Sequence, residues 1–289
     1  MIKAIAIEGN CQWLDGGAMF GNAPRALWEK WVEVDDLNRI RLACRALYLE
    51  IDKKKYLFEV GIGAFFEPKL KERFGVESEE HLLLTNLKNH GINEDEIDFV
   101  VLSHLHFDHA GGLLPAYSDM QKMNGLHFPN AAYVVGMKSW ERALNPHSRD
   151  RASFLPELNK RLQDSGRLFL IEGRSRPEGW SHRIEFLESY GHTPGQMHAL
   201  IHGDEDSILF AGDLVPGMPW IHVPITMGYD RCSELLIDEK CTVVRRAKSE
   251  GWWVFLTHDA NTAFCKVDVT DKQKYFGKDE RSSDVTLQI

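Results

Sequence analysis

The stretch Ser103-His-Leu-His-Phe-Asp-His-Ala-Gly-Gly112 places three histidines and one aspartate within six positions. In an extended backbone alternate side chains share a face, so the first two histidines and the aspartate are expected to point the same way. Imidazole suits Zn, Fe, Ni and Cu, and a carboxylate adds negative charge and can bridge two ions. Crowded on one turn, these side chains would repel or desolvate one another without a cation. The stretch predicts a metal site with candidate ligands His104, His106, Asp108 and His109.

The residues before this stretch place it at the end of a buried strand. Ile97 and the run Phe99-Val-Val-Leu102 are apolar and rich in β-branched residues, which is typical of a buried strand. In α/β folds, sites are usually built where core strands end. A metal site is therefore favoured over the alternative, a histidine-rich loop exposed to water.

The composition is that of an acidic globular protein. The 289 residues carry a formal charge of −9, with 43% hydrophobic and 27% charged residues. This charge argues against a nucleic-acid partner, because phosphate binding needs concentrated Lys and Arg. No run of about twenty apolar residues occurs, so no membrane span is expected. Five scattered cysteines without CxxC spacing predict reduced thiols in a cytoplasmic protein.

The hydrophobic pattern predicts one domain over residues 1–289, in which two sheets pack together with helices outside. Residues 14–24 are glycine-rich and are expected to form a loop, and residues 145–181 are expected to form a surface insertion over the site. Strands are predicted near 2–8, 41–51, 55–60, 97–102, 132–135, 167–171, 183–189, 197–202, 207–211 and 252–256. Helices are predicted near 66–74, 79–89, 137–144, 154–163 and 233–249.

Three further residues of metal-ligand type follow predicted strands downstream. His192 lies in a GHTPG sequence, Asp213 ends an FAGD sequence, and His258 lies in a THD sequence. Each of these residues follows the same order: a buried strand comes first, and the residue of metal-ligand type lies in the loop after it. A lone histidine is more often structural than a ligand. Together with the stretch at residues 103–112, however, the same order occurs four times along the chain, which is not easily accidental. These four occurrences predict that four strand ends contribute to one centre.

Taken together, the HxHxDH motif, the GHTPG histidine, the GD aspartate and the late histidine resemble the metallo-β-lactamase-fold hydrolase superfamily, over about residues 55–260. The resemblance implies an α/β protein, a four-layer αβ/βα sandwich of two mixed β-sheets flanked by helices. It also implies two divalent metal ions, with Zn²⁺ favoured and Fe, Mn, Ni or Co as alternatives. The implied ligands are His104, His106 and His192 for one ion and Asp108, His109 and His258 for the other, with Asp213 bridging.

Within the superfamily, HLHFDHAGG, the early LDGGAMFG and the late THD are most similar to the N-acyl-homoserine lactonase branch, whose members degrade quorum-sensing lactones. The resemblance implies a small-molecule acyl lactone or ester as substrate. Lactonases of the best-known type place a tyrosine a few residues after the bridging aspartate, whereas residues 214–220 contain none. Tyr229 and His222 are the candidates for that role. The alternatives are another ester, thioester or phosphotriester hydrolase, or an iron-dependent redox relative.

The expected reaction is attack on a carbonyl by a metal-bridging hydroxide, because two cations lower the pKa of a shared water and polarise the carbonyl. Asp108 is also a candidate proton shuttle, and Asp259 is a candidate for orienting a ligand imidazole. Six apolar residues near the motifs are candidates for the wall of an acyl-chain pocket: Phe107, Met19, Phe20, Met218, Trp220 and Phe264. Exposure of N-terminal apolar residues would favour a homodimer; these are Met19, Phe20, Trp28 and Trp31.

Overall fold

A computed structural model describes residues 2–120 and 125–289. The strands in chain order are β1 (Lys3–Ile7), β2 (Gln12–Asp15), β3 (Arg39–Leu42), β4 (Ala46–Ile51), β5 (Lys54–Phe58), β6 (Phe99–Leu102), β7 (Ala132–Gly136), β8 (Leu168–Ile171), β9 (Ile184–Ser189), β10 (Gln196–His202), β11 (Ser207–Phe210), β12 (Trp253–Phe255), β13 (Phe264–Val269), β14 (Tyr275–Arg281) and β15 (Thr286–Gln288). The α-helices are α1 (Gly16–Phe20), α2 (Arg25–Trp28), α3 (Pro68–Phe74), α4 (Leu82–Asn89), α5 (Phe107–Ala110), α6 (Met137–Leu144), α7 (Pro156–Asp164) and α8 (Ser233–Glu250).

Two mixed sheets form the centre of the fold. The seven-stranded sheet has the order β15-β1-β4-β5-β6-β7-β8, and the six-stranded sheet has the order β14-β13-β12-β11-β10-β9. Strands β5 to β8 pair in parallel, as do β11 and β12, while the other pairs of the two sheets are antiparallel. The short strands β2 and β3 form a separate antiparallel pair. This arrangement confirms the predicted sandwich.

Three apolar cores separate the layers. Phe58 and Phe210 pack between the two sheets, Leu83 and Leu158 bring α4 and α7 to the outer face of the first sheet, and Leu236 brings α8 to the outer face of the second. Each element buries one apolar face against its neighbour, which is the main stabilising contribution to such a stack. The layers therefore run helix, sheet, sheet, helix.

Strand β6 shows how the sequence sets up the site. Phe99 and Val101 lie in the core between the sheets, whereas Val100 and Leu102 lie in the core beneath the helices. Both faces of this parallel strand are covered, so it is apolar along its whole length rather than alternating. It ends at Leu102, and the histidine-rich stretch begins at the edge of the sheet.

The structure corrects two predictions at the N-terminus. The predicted strand 41–51 is divided into β3 and β4, because residues 43–45 bend towards the other sheet: Ala43 N donates to His258 O at 3.2 Å and Arg45 N to Thr257 O at 3.3 Å. Residues 14–24, predicted to be a loop, contain the end of β2 and helix α1. The Asp15 carboxylate caps this helix by accepting from Ala18 N at 2.8 Å.

The aromatic residues of the N-terminal segment pack inwards. The ring of Phe20 stacks on Trp28 at 5.1 Å and on Trp220 at 4.6 Å, and Met19 joins the same cluster. The expectation that Met19, Phe20 and Trp28 lie at the surface was wrong, because residues 218–227 cover them. Of that set Trp31 is exposed (39%), and the homodimer stays a prediction.

Residues 145–181 supply helix α7 and the edge strand β8, which pairs with β7. Phe154 in this segment forms a β-bridge with His106, so the segment covers one side of the predicted site. The boundaries of a single domain with an insertion stay a prediction. No helix in the described parts of the chain is long and apolar enough to cross a bilayer.

Candidate metal centre

The four strand-end loops named in the sequence meet at one edge of the sandwich. The histidine-rich stretch follows β6, and three single residues follow β9, β11 and β12. Gly112 lets the turn after α5 lie close to the neighbouring loop, because a Cβ at this position would stand 2.0 Å from Val60 O. The structure thereby brings together all of the predicted ligand residues, which are His104, His106, Asp108, His109, His192, Asp213 and His258.

A first group consists of three buried imidazoles. His104 Nε2 lies 2.9 Å from His106 Nδ1, and His192 Nε2 lies 3.3 Å from the same atom. One nitrogen from each ring is within 4.8 Å of the others. Three converging nitrogens with an open fourth position are a suitable donor set for Zn²⁺.

A second group consists of Asp108, His109 and His258. The Nε2 atoms of His109 and His258 are 3.1 Å apart. Asp108 Oδ1 lies 3.8 Å from His109 Nε2, and its Oδ2 lies 3.7 Å from His258 Nε2. The donor set of two imidazoles and one carboxylate suits a divalent cation of the same class.

Asp213 lies between the two groups with one carboxylate oxygen directed at each. Its Oδ2 is 3.3 Å from His192 Nε2 in the first group. Its Oδ1 is 3.3 Å from His109 Nε2 and 3.2 Å from His258 Nε2 in the second. This is the position from which one carboxylate could bridge two ions.

The residues present fit such ions. Oδ1 of Asp213 is buried and has no hydrogen-bond partner among the described residues, although two imidazole nitrogens lie close to it. A buried carboxylate oxygen without a partner is costly. A cation between these donors would give the oxygen a partner and remove the repulsion between facing nitrogens.

Burial and charge divide the imidazoles electrostatically. Burial, together with the neighbouring rings, holds the pKa of His104 and of His106 well below its ordinary value. Burial also lowers the pKa of His109 and His258, but the partners that favour the charged form, Asp213 first among them, together outweigh burial and hold both pKa values well above the ordinary value. A divalent cation would supply the positive charge that this carboxylate attracts.

Asp230 orients His192 from behind. His192 Nδ1 is 2.9 Å from Asp230 Oδ1, and the other carboxylate oxygen accepts from Met227 N at 2.6 Å. A carboxylate on the second ring nitrogen fixes the tautomer and the direction of a ligand imidazole. Sequence reasoning missed this residue, although it directly follows the candidate Tyr229.

Glu59 has the equivalent position behind His109. It is fully buried, with its Oε2 3.4 Å from His109 Nδ1 and its Oε1 accepting from Ser103 N at 2.9 Å. Its φ of +64° is unusual for a residue with a side chain and marks a constrained turn at the end of β5. The signal available in the sequence was an acidic residue directly after an apolar strand.

The expected role of Asp259 was wrong. The carboxylate accepts from the backbone N–H groups of Met218, Asn261 and Thr262 at 2.8, 3.1 and 2.8 Å. The second nitrogen of His258 is instead held by a backbone carbonyl, Ala43 O, at 2.6 Å. Asp259 therefore shapes the loop that carries the ligand and does not orient the imidazole.

Tyr229 and His222 lie in different surroundings. Burial, and after it the charges of Asp108 and Asp15, raise the pKa of Tyr229, whose side chain is 42% exposed. His222 lines a cavity of about 1210 Å³ that His258 of the second group also lines, and burial and Lys274 lower the pKa of His222. The side chain of Asp108 is 16% exposed, which makes the second group the accessible side of the centre.

Of the apolar candidates, Phe107 lies beside Asp108 in an aromatic cluster. Its ring is 5.4 Å from Phe66 and 4.7 Å from Phe74. Phe20 and Trp220 belong instead to the buried N-terminal cluster. The ring of Phe154 packs against His106 with centroids 4.9 Å apart, and Trp220 lines the cavity that His258 also lines.

The two-sheet sandwich, with donor groups for metal at four strand ends, is typical of a class of metal-binding α/β proteins. Residues 39–260 match the model of the metallo-beta-lactamase superfamily, and the chain belongs to that superfamily. A probable metal-dependent hydrolase from Staphylococcus aureus superposes with a TM-score of 0.85 at 25% identity, covering 96% of this chain and 97% of that one.

Two lactonases are also similar. An N-acyl homoserine lactonase of Bacillus thuringiensis is 28% identical over 152 residues, which is 52% of this chain and 50% of the relative. The chain thus spans about half the length of the curated relatives it matches. The dizinc quorum-quenching lactonase AidC, solved with a product, has a TM-score of 0.78 at 17% identity and covers 97% of this chain and 95% of its own. At that identity the likeness concerns the fold alone.

Proposed function

We propose that this protein is a dinuclear metal-dependent hydrolase that opens an acyl lactone, with N-acyl-homoserine lactones as the leading substrate class. The observation that carries the proposal is the placement of Asp213, whose two oxygens face the two donor groups at 3.2 to 3.3 Å. A carboxylate placed in this way could be shared by two ions. In the proposal, His104, His106 and His192 hold one ion and Asp108, His109 and His258 hold the other.

When bound, two divalent cations would polarise a carbonyl, lower the pKa of water and stabilise developing negative charge. Side chains of the protein would supply proton transfer and hydrogen bonding. Asp108 is partly exposed and can hold a proton at its carboxylate on the way to the leaving oxygen. The Tyr229 phenol, whose pKa is raised, stays protonated at neutral pH and can donate a hydrogen bond to the carbonyl or to the leaving oxygen.

The lactone substrate is supported by the curated Bacillus relatives, which are named N-acyl homoserine lactonases. It is also supported by the cavity that His258 lines together with Met218, Trp220 and Ile225, which offers an apolar surface to an acyl chain. The same donor groups could serve the hydrolysis of another ester, a thioester or a phosphotriester, or an iron-dependent redox reaction. Those remain the alternatives to be tested.

A substrate panel with metal analysis tests the proposal. Purified protein would be loaded separately with Zn²⁺, Mn²⁺, Co²⁺, Ni²⁺ and Fe²⁺, and its kcat/KM compared for acyl-homoserine lactones of several chain lengths, aryl esters, thioesters and phosphotriesters. We expect two ions per chain and the highest kcat/KM for a lactone. Faster cleavage of thioesters or phosphotriesters than of every lactone would contradict the substrate, and a single tightly bound ion would contradict the dinuclear centre.

A further inference from the structure

The metal centre receives a polar contact from the separate N-terminal sheet. Gln12 on β2 donates a hydrogen bond from Nε2 to Asp108 Oδ2 at 2.7 Å. Glutamine is mostly exposed in proteins, but Gln12 is fully buried (0%). A buried amide directed at a carboxylate of metal-ligand type resembles the outer contacts that orient ligands in metal sites.

Charge fixes the direction of this amide. Gln12 Oε1 is buried and has no hydrogen-bond partner among the described residues. Turning the amide over would place this oxygen against the carboxylate oxygen of Asp108, and an ionised carboxylate can only accept. The contact is therefore a charge-assisted hydrogen bond in which Gln12 is the donor.

The strand that carries Gln12 is held on both sides. Gln12 is paired with Leu42 of β3, and the neighbouring Cys11 O accepts from Glu77 N at 3.2 Å. Arg41 of β3 also binds the Glu77 carboxylate, at 2.9 and 3.1 Å. With the backbone fixed in this way, the amide is presented to Asp108 from a rigid support.

We propose that Gln12 is a positioning residue for Asp108 and that it strengthens ion binding at the Asp108, His109 and His258 group. By holding Oδ2, it leaves Asp108 Oδ1 directed towards His109 Nε2, 3.8 Å away. Gln12 can have this role only if the proposed two-metal function is correct. The first group has its own outer contacts and does not depend on Gln12.

Stepwise Co²⁺ titration of the metal-free protein, followed by visible absorption and by calorimetry, tests the role of Gln12. Gln12→Met keeps the length of the side chain and removes the donor. We expect wild type to bind two ions, and the variant to bind one of them about 10- to 100-fold less tightly with the other affinity unchanged. Trp13→Phe on the same strand is the matched control, because it removes a hydrogen bond to Glu77 at 2.9 Å and leaves the contact between Gln12 and Asp108 unchanged.

Each outcome has a distinct meaning. Equal affinities of Gln12→Met and wild type for both ions, or equal weakening of both steps, would overturn the role of Gln12 and leave the proposed function standing. Uptake of a single ion by wild type would contradict the proposed function itself. If Gln12→Met does not fold by circular dichroism, Gln12→Asn keeps a buried amide that is too short to reach Asp108, and the same selective weakening is expected.

Discussion

Asp213 is the residue on which both donor groups depend, since each of its oxygens faces a different group. We expect Asp213→Ala to lower kcat/KM by more than about 100-fold, because even a change in an outer contact costs about 10- to 100-fold. Metal content by elemental analysis should fall with it. Asp268→Ala is the control, because that carboxylate binds Lys248 and Lys278 at the surface. Full activity and metal content in Asp213→Ala would refute the bridging assignment.

Asp230 and Glu59 allow the two groups to be weakened separately. In Asp230→Asn, the side-chain oxygen would still accept from Met227 N, so the amide NH₂ would face His192 Nδ1. His192 would then need its proton on Nε2, and that tautomer cannot bind an ion through Nε2. We expect about 10- to 100-fold weaker binding of one ion. Glu59→Gln should weaken the other ion by removing the charge beside His109. Stepwise metal titration of both variants checks this, and the same step affected in both would contradict the division into two groups.

Tyr229 and His222 are competing candidates for assisting the departure of the leaving oxygen. We expect Tyr229→Phe to lower kcat by about 100-fold or more with a small change in KM, because the phenol would act in the transition state. His222→Gln should have little effect, because the charges that act on His222 are those of Lys274 and Lys240 and not those of the carboxylates in the donor groups. Steady-state kinetics on the preferred lactone distinguishes them. A larger loss in His222→Gln would assign the role to His222 instead.

At this scale the sequence predicted residues that sit in a local pattern and missed those that do not. The seven ligand candidates each follow an apolar strand, so the local sequence pattern was sufficient to identify them. The partners Glu59, Asp230 and Gln12 contact the centre across 50, 38 and 96 positions. No local pattern links such distant residues, because the fold alone brings them together.

At the scale of elements, the stack of Trp28, Phe20 and Trp220 joins the N-terminal segment to residues 218–227. Phe20 is fully buried (0%), so Phe20→Ala should leave a cavity and lower the free energy of unfolding by about 3–5 kcal/mol. Urea denaturation measures this change. Leu27→Ala nearby, at an exposed position (42%), should change it by less than about 0.5 kcal/mol. Equal effects of the two changes would show that the stack does not stabilise the fold.

The elements that were predicted correctly are those with an apolar face covered on one or both sides. Strand β6 and helix α8 are of this kind. Strand β14 was missed because most of its residues are exposed, which leaves no apolar alternation to detect. The short strand β15 was missed because it is defined by pairing with β1 at the other end of the chain.

At the scale of the whole molecule, two buried histidines outside the metal centre make stability depend on pH. His81, before α4, contacts Gly112 O at 2.8 Å, and His198, in β10, contacts Ser189 Oγ at 2.7 Å. Burial lowers the pKa of each to about 4. His81 precedes a helix that packs on the seven-stranded sheet, whereas His198 lies in the six-stranded sheet, so both halves of the fold contribute to the pH dependence.

The sign follows from the lowered pKa values. Above the unfolded pKa of about 6.5 both histidines are neutral in either state, and their contribution to stability is fully present. As the pH falls below about 6.5, the two histidines bind protons in the unfolded chain but remain neutral in the folded chain, so the free energy of unfolding decreases. Each histidine should account for a loss of about 2 kcal/mol between pH 7 and pH 5.

His198→Gln isolates one of these contributions, because glutamine can keep a polar contact with Ser189 and cannot bind a proton. We expect the loss of unfolding free energy between pH 7 and pH 5 to be about 2 kcal/mol smaller in this variant than in wild type. Urea denaturation of metal-free protein at both pH values gives the comparison, in which the titration of the ligand imidazoles cancels. His182→Gln, at an exposed position, should leave the wild-type dependence unchanged. An identical pH dependence in His198→Gln and wild type would show that His198 is protonated equally in the folded and unfolded states.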